Sequence, residues 1–294
     1  MTTVRIEGEG AREIVPAVLE LAGRAAASED EIVSHFAPEA QTSIRALVRE
    51  LRARRLLLPA GTDAEPVQES PLDVFHWHFV SPDERSPSAP RDEPVTVGGE
   101  SATAARLRGL LDEAGFRAVF PAREPVLSAG TRVVAAVSEL GFAPLRVWNA
   151  ICLEHEVPFL PVAIVDLVAY VGPLVVPRQT PCFECFLRRR YSNLDQADMR
   201  EPLELEPRVD RVVALHPGIS AVAAGAAALE LTRFFLPWQA GSEAGYVRTF
   251  NLLGGVFARR RVLKVPRCPC CGSASERPPT AVERIQLDDA AEHG

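Results

Sequence analysis

Apolar positions near the start of the chain recur at helical spacing. Ile14, Val15, Val18, Leu19 and Leu21 predict a helix over residues 12–21. Ser28-Glu-Asp-Glu31 is a capping-box pattern and predicts a second short helix reaching Phe36. A third helix is predicted over residues 42–55, because Ile44, Leu47, Val48 and Leu51 fall at i, i+3, i+4 and i+7. Leu56, Leu57 and Leu58 then read as a strand ended by Pro59 and Gly61, and residues 4–6 can supply another. Three short helices with flanking strands describe a winged-helix-like module over residues 1–61.

Residues 62–93 change character. Phe75, Trp77 and Phe79 form an aromatic island, and Pro, Ser and charge between Ser81 and Asp92 read as a linker. From Val95 the pattern turns to α/β. Strands are predicted over residues 95–97, 117–120, 132–137 and 158–166, with a hairpin arm over 168–176. Helices are predicted over 102–114, 146–154 and 219–235, and antiparallel strands over 245–252 and 255–263. This alternation argues for a mostly parallel sheet with an antiparallel appendage. It extends over residues 94–276, leaving 277–294 as a disordered tail.

Composition narrows the function classes. The chain has 294 residues, 47% hydrophobic, and a net charge of −7, so it can bury a real core and is not a general nucleic-acid binder. The richest apolar stretch, residues 157–176, is broken by Pro158, Pro161, Asp166 and Pro173, so no membrane span is expected. The first residues lack a signal-peptide core, which points to the cytoplasm and to metal ligation rather than disulfides for paired cysteines. Lys264 is the only lysine, so single arginines carry little weight in this Arg-rich chain.

Two C-x-x-C pairs carry the strongest chemical signal. Cys182, Cys185, Cys268 and Cys271 have the ligand types and spacing of a structural Zn2+ site, with every coordination position filled by thiolate. The long gap means that the metal would clip the end of the domain onto its middle. The alternative is a set of buried or redox-active thiols. Cys270 is the poorer ligand by spacing, and Cys152, within Ala-Ile-Cys-Leu, reads as a core thiol.

Weaker signals stay open. Gly98 and Gly99 sit where a strand meets a helix, the place for a phosphate-binding turn, but G-x-G-x-x-G is absent and Glu100 brings negative charge. Arg45, Arg49, Arg52 and Arg54 line one face of the third helix, either as a solvated side or as a recognition surface. His76 and His78 flank Trp77 without a third ligand in view.

Several features together resemble the ThiF-like superfamily, the adenylating fold related to ubiquitin-activating enzymes. They are the strand-turn-helix over residues 95–115, Asn149-Ala-Ile-Cys152 leading to Pro158, the helix from His216-Pro-Gly-Ile-Ser to Glu230, and the cysteine pairs. Gly172-Pro-Leu-Val-Val-Pro-Arg-Gln-Thr-Pro-Cys-Phe-Glu-Cys185 and Val265-Pro-Arg-Cys-Pro-Cys-Cys-Gly272 are more specific. They are similar to the leader-binding partner proteins of thiazole/oxazole-modified microcin biosynthesis, the cyclodehydratase C-type or ocin-ThiF-like proteins. The first sixty residues resemble a RiPP recognition element, a winged-helix fold that binds the leader of a ribosomal precursor peptide.

Departures from the active pattern are equally informative. Active ThiF-like enzymes carry G-x-G-G-x-G, whereas this chain has Gly98-Gly-Glu-Ser-Ala-Thr103. Their Asp-Asn pair and Arg are replaced by Glu139-Leu-Gly-Phe-Ala-Pro-Leu145, and their ATP-site Lys has no counterpart. The interval from Phe120 to Val133 is too short for the usual second crossover helix. The resemblance therefore implies a winged-helix-like module plus a degenerate ThiF-like Rossmann-type domain, structural zinc, and no ATP site on this chain. The leader would add as a strand beside Val4 and Ile6, with Arg45, Arg49 and Arg52 steering acidic leader residues. A homodimer docking a YcaO-type cyclodehydratase is the implied assembly. The rivals are an ATP-dependent adenylating enzyme acting on a peptide and a zinc-stabilised winged-helix DNA-binding regulator.

Overall fold

The structure, a computed structural model, describes residues 6, 10–23, 27–54, 56–57, 72, 93–117, 119–195, 197–205, 215–235 and 244–272. The chain divides into two compact units, residues 1–89 with 233–241, and residues 90–232 with 242–294.

The first unit holds α1 (Ala11–Gly23), α2 (Glu29–Ser34) and α3 (Gln41–Ala53). Their boundaries follow the sequence signals closely. At α2 the capping box forms: Glu31 N–H donates to Ser28 Oγ at 3.2 Å, and Ser28 N–H donates to Glu31 Oε2 at 2.7 Å. Val18, Ile32, Val33, Ile44, Val48 and Leu51 make a shared core, with Ile6 and Leu57 packed against it. The strand expected at Leu56 and Leu57 is not formed; both residues sit in a bend, and Leu58 lies outside the described residues. A strand needs a partner to satisfy its backbone, and none reaches this bend among the described residues. The strand expected at residues 4–6 touches only one described residue, Ile6, which has no regular structure. The aromatic island, His76, His78 and the linker also lie outside the described residues.

The second unit is built on one seven-stranded sheet in the order β2-β1-β3-β4-β5-β6-β7. Its strands are β1 (Val95–Gly98), β2 (Val119–Ala122), β3 (Val133–Ser138), β4 (Phe159–Val165), β5 (Val168–Val171), β6 (Tyr246–Asn251) and β7 (Val256–Arg261). The first four pair in parallel, and β5, β6 and β7 extend the sheet antiparallel, as the alternation predicts. Every residue of β1, β3 and β4 is buried, the pattern of central strands covered on both faces. At the edges β2 and β7 are largely exposed.

Helices α4 (Ala102–Glu113), α5 (Ala143–Glu154), α6 (Phe183–Tyr191), α7 (Ala197–Leu205) and α8 (Pro217–Phe235), the last as far as Thr232, complete this unit. The periodicity missed α6 and α7. Helix α6 buries Phe183, Glu184, Cys185, Phe186, Leu187 and Tyr191, which leaves no clean apolar stripe, and α7 contains Pro202. Strand β2 runs two residues later than expected because pairing with β1 sets its register, Val95 opposite Val119. The hairpin arm expected to reach Val176 ends at Val171. One helix among the described residues, α8, is long and apolar enough to cross a membrane, contrary to the sequence reading. Ile219, Ala223, Ala224, Ala227 and Leu231 bury one side of it, as in a core helix.

Candidate metal centre and the turn after the first strand

Helix α6 begins at Cys182, which takes extended dihedrals as its N-cap, and the first turn brings Cys185 back beside it. Asn149 of α5, fully buried, fixes that start: its Oδ1 accepts from Phe183 N–H at 2.9 Å. On the C-terminal side Cys268 N–H donates to Val265 O at 3.1 Å, and Gly272 N–H donates to Cys268 O at 2.8 Å. A Cβ at Gly272 would stand 2.5 Å from Cys268 O, so only glycine closes this knuckle without displacement.

The four Sγ atoms of Cys182, Cys185, Cys268 and Cys271 lie within 4.8 Å of one another. Cys182 to Cys185 is 3.8 Å, Cys182 to Cys268 is 3.6 Å, and Cys185 to Cys271 is 3.5 Å. A tetrahedral ion with Zn–S of about 2.3 Å sets S–S near ~3.8 Å, so the cluster fits zinc. Val265 N–H points at Cys185 Sγ from 3.3 Å, the kind of donor that stabilises thiolate. Crowding separates the thiols: hydrogen bonding from Cys182 pulls Cys185 down to about 5, and burial raises Cys271 to about 11. Four thiolates cannot share this volume without a cation, so a metal ion held here would displace protons. Cys270 is exposed and outside the cluster, and Cys152 is buried in the core.

Between the paired cysteines Glu184 is buried and held by Arg146 Nε at 3.0 Å and Arg188 Nε at 3.3 Å. These cations lie beside a site whose Zn(Cys)4 form would carry net negative charge.

The turn after β1 is closed by the protein's own groups. Glu139, from the β3–α5 connection, places Oε1 3.0 Å from Thr103 N–H and 2.5 Å from the Thr103 hydroxyl. The hydroxyl has one proton to give, so it donates to Glu139 and accepts from Ser220 at 2.8 Å. Ser101 caps the same helix end, accepting from Ala104 N–H at 3.2 Å. The N–H groups at the start of α4 thus already hold a carboxylate and a hydroxyl. Glu100 pairs with Arg123 at 2.6 Å on the surface. Both glycines serve packing. A Cβ at Gly98 would meet the Trp148 ring at 2.7 Å, and Gly99, at φ +106, would meet Val137 O at 2.5 Å. Glu139 and Trp148 escaped the sequence reading, and no local signal links them to residues so far away in the chain.

In the first unit Arg45 and Arg49 face α2. Arg45 Nη1 lies 2.7 Å from Asp30 and 3.2 Å from Glu29, and Arg49 Nε lies 3.0 Å from Glu29. Arg54 pairs with Glu50 at 2.5 Å, and Arg52 is exposed. Ile6 is half-buried on the helical core, and Val4 lies outside the described residues.

No protein-family model matches the chain, and no curated protein matches it. Solved structures do. A heterocyclase in complex with substrate and cofactor superposes with TM-score 0.65 at 21% identity, over 91% of this chain and 35% of that one. The heterocyclase TruD gives 0.59 at 21% identity, over 84% and 36%. E. coli MccB with MccA-N7isoASN gives 0.64 at 12% identity, over 92% of both chains. The chain spans about a third of the length of the heterocyclase chains it matches. At these identities the likeness shows the fold alone, one this chain has in common with part of the heterocyclase chains and with E. coli MccB.

Proposed function

We propose that this chain is a non-catalytic partner subunit in azoline biosynthesis. It binds the leader of a ribosomal precursor peptide and presents the core to a YcaO-type cyclodehydratase. That separate enzyme spends ATP on activating a backbone amide, so that a Cys, Ser or Thr side chain closes on it. The fold shared with a heterocyclase bound to substrate supports the setting. The observation that carries the non-catalytic part is Glu139 seated on the N–H of Thr103, where a phosphate would otherwise find its donors. An adenylyl-transfer site needs cations and a metal carboxylate around the transferring group. Here the carboxylate is turned onto the helix instead.

Zinc at Cys182, Cys185, Cys268 and Cys271 is structural in this reading, and its thiolates leave no position for water. The first unit supplies the leader groove near Val4 and Ile6, with Arg52 as the most available of the basic residues on α3. A homodimer in the cytoplasm, each copy holding one leader, completes the proposal. Holding two partners together raises the effective concentration of the core peptide at the enzyme.

Calorimetry of the zinc-loaded protein with the leader from the neighbouring precursor gene tests the reading. Saturable binding with Kd below about 10 µM is expected. Absence of binding sinks the leader role. A second reading, a nucleotide-using enzyme acting on a peptide, draws on E. coli MccB, which matches over 92% of its length and has been solved with ATP. ATP–pyrophosphate exchange by the isolated protein would decide for it.

A further inference from the structure

Cations gather around the metal centre from three parts of the chain. Arg146 of α5 and Arg188 of α6 both reach Glu184, whose side chain is 7% exposed, while both arginines are exposed. Arg189, the next residue of α6, donates to Leu263 O at 2.6 Å and to Lys264 O at 3.1 Å. Those two bonds fasten the chain just after β7 to the helix that carries Cys185. Lys264 and Arg267 follow on the way to Cys268. Both are exposed, and among the described residues neither makes an ion pair.

The charge is one-sided. Glu184 is the only acidic residue in stretches 183–191 and 256–272 taken together, and Lys264 is the only lysine of a chain whose net charge is −7. Four thiolates around a divalent ion would add roughly two negative charges. Arg146, Arg188, Arg189, Lys264 and Arg267 still outnumber them and Glu184, five against roughly three. The C-terminal end of α6 favours Arg188 and Arg189. Lys264 and Arg267 lie on no helix, so neither the metal cage nor a helix end explains them.

Apolar groups stand between these cations. Leu263 is 52% exposed, and Pro266 and Pro269 are exposed as well. A nucleic acid is held through its phosphates, which give such groups nothing to cover. A polypeptide offers carboxylates for the cations and apolar side chains for the leucine and the prolines. The face is also preorganised. Cys268 N–H donates to Val265 O, and Gly272 N–H donates to Cys268 O, which fixes the backbone that presents Lys264 and Arg267.

We infer that the face around the metal knuckle, formed by Arg146, Arg188, Leu263, Lys264 and Arg267, docks an acidic segment of a partner polypeptide. Carboxylates of that segment meet the cations, and its apolar side chains cover Leu263 and the prolines. The inference rests on the metal reading, since the knuckle keeps its shape through its ion, and is independent of the leader reading.

The probe is a fluorescein-labelled, end-blocked peptide of repeated Glu-Glu-Leu. A Gln-Gln-Leu peptide and a single-stranded oligonucleotide of matched charge are its counterparts. Binding to the full zinc-loaded chain is followed by anisotropy, with zinc counted by elemental analysis on the same sample. The Glu peptide should saturate, and the Gln peptide should bind at least about tenfold more weakly. Because Lys264 is the only lysine, carbodiimide coupling of a peptide carboxylate to its amine locates the site by mass mapping. Lys264→Arg should keep the binding and lose that cross-link. Lys264→Glu/Arg267→Glu should weaken binding by about tenfold or more, and Lys264→Glu alone decides if the double variant loses its zinc. Four results overturn the inference: no saturable binding by the loaded chain, cross-links confined to the N-terminal amine, binding untouched by charge reversal, or an oligonucleotide bound as tightly as the peptide. A chain that takes up no zinc overturns it together with the metal reading. None of these measurements uses a leader peptide, so failure here leaves the leader reading standing.

Discussion

Glu139 holds Thr103 at two points, its backbone N–H and its hydroxyl, and so closes the start of α4 with an internal carboxylate. The contact spans 36 residues of sequence and joins the β3–α5 connection to the turn after β1. Removing the carboxylate strands the donors of Thr103, which is fully buried. Glu139→Ala is expected to lower unfolding stability by about 1–2 kcal/mol, read from the urea midpoint. In the wild-type protein ATP with magnesium should leave the melting temperature unchanged.

Chelation should act on the second unit. Strong chelator is expected to remove one zinc per chain and abolish its cooperative unfolding transition, since such sites contribute on the order of 10 kcal/mol to folding. Cys182→Ser or Cys268→Ser should lose the zinc, whereas Cys270→Ser should retain it, because Cys270 stands outside the cluster. Elemental analysis with circular dichroism separates these outcomes. Acid should have the same effect as chelator, since protons compete with the metal for the thiolates.

Gly98 is predicted to resist even alanine. The added methyl would press into the Trp148 ring at 2.7 Å, and an indole seated in a core helix cannot swing aside cheaply. A loss of about 1–3 kcal/mol is expected for Gly98→Ala, measured by denaturant unfolding.

Burial raises the Cys152 thiol to about 12 from 9, with desolvation as the cause. Below the unfolded value both states keep the proton and stability is unaffected. Between these two values the unfolded chain loses the proton while the folded chain keeps it, so Cys152 makes stability fall as pH rises through that window. At about pH 8 the thiol stays protonated and shielded. Iodoacetamide on the zinc-loaded protein should therefore label Cys270 and spare Cys152, as peptide mass mapping would show.

The basic face of α3 makes a sharper forecast. Arg45 and Arg49 already share Glu29, so an acidic leader must displace that carboxylate. Arg49→Ala should change stability by less than about 1 kcal/mol, as exposed pairs do. Glu29→Ala frees Arg49 and leaves Arg45 on Asp30, and it should tighten leader binding several-fold in calorimetry, at the cost of a looser α2.

Much of the second unit was legible in the sequence. Val95, Val133 and Phe159 begin runs whose continuous apolar character marks buried parallel strands, and the strands came where those runs lie. The α2 boundary was legible because the capping box is a local contest of hydrogen bonds won within four residues. Helix α6 was not, because Phe183, Cys185 and Leu187 are buried on several sides at once, against the core and against the other cysteines. Leu56 and Leu57 failed as a strand for the opposite reason: β propensity without a neighbouring strand leaves the backbone unpaired.

The candidate site divides along the same line. The sequence by itself singled out the four cysteines that come together, because two thiols three residues apart at a helix start form half a tetrahedron locally, wherever the other half comes from. It also determined that the turn at Gly98 and Gly99 departs from a phosphate-binding pattern. Only the tertiary structure decided what fills that turn. Glu139 and Trp148 reach it from the crossover that follows β3, and the order of strands, not the spacing of residues, brings a carboxylate to one backbone N–H and an indole to one glycine.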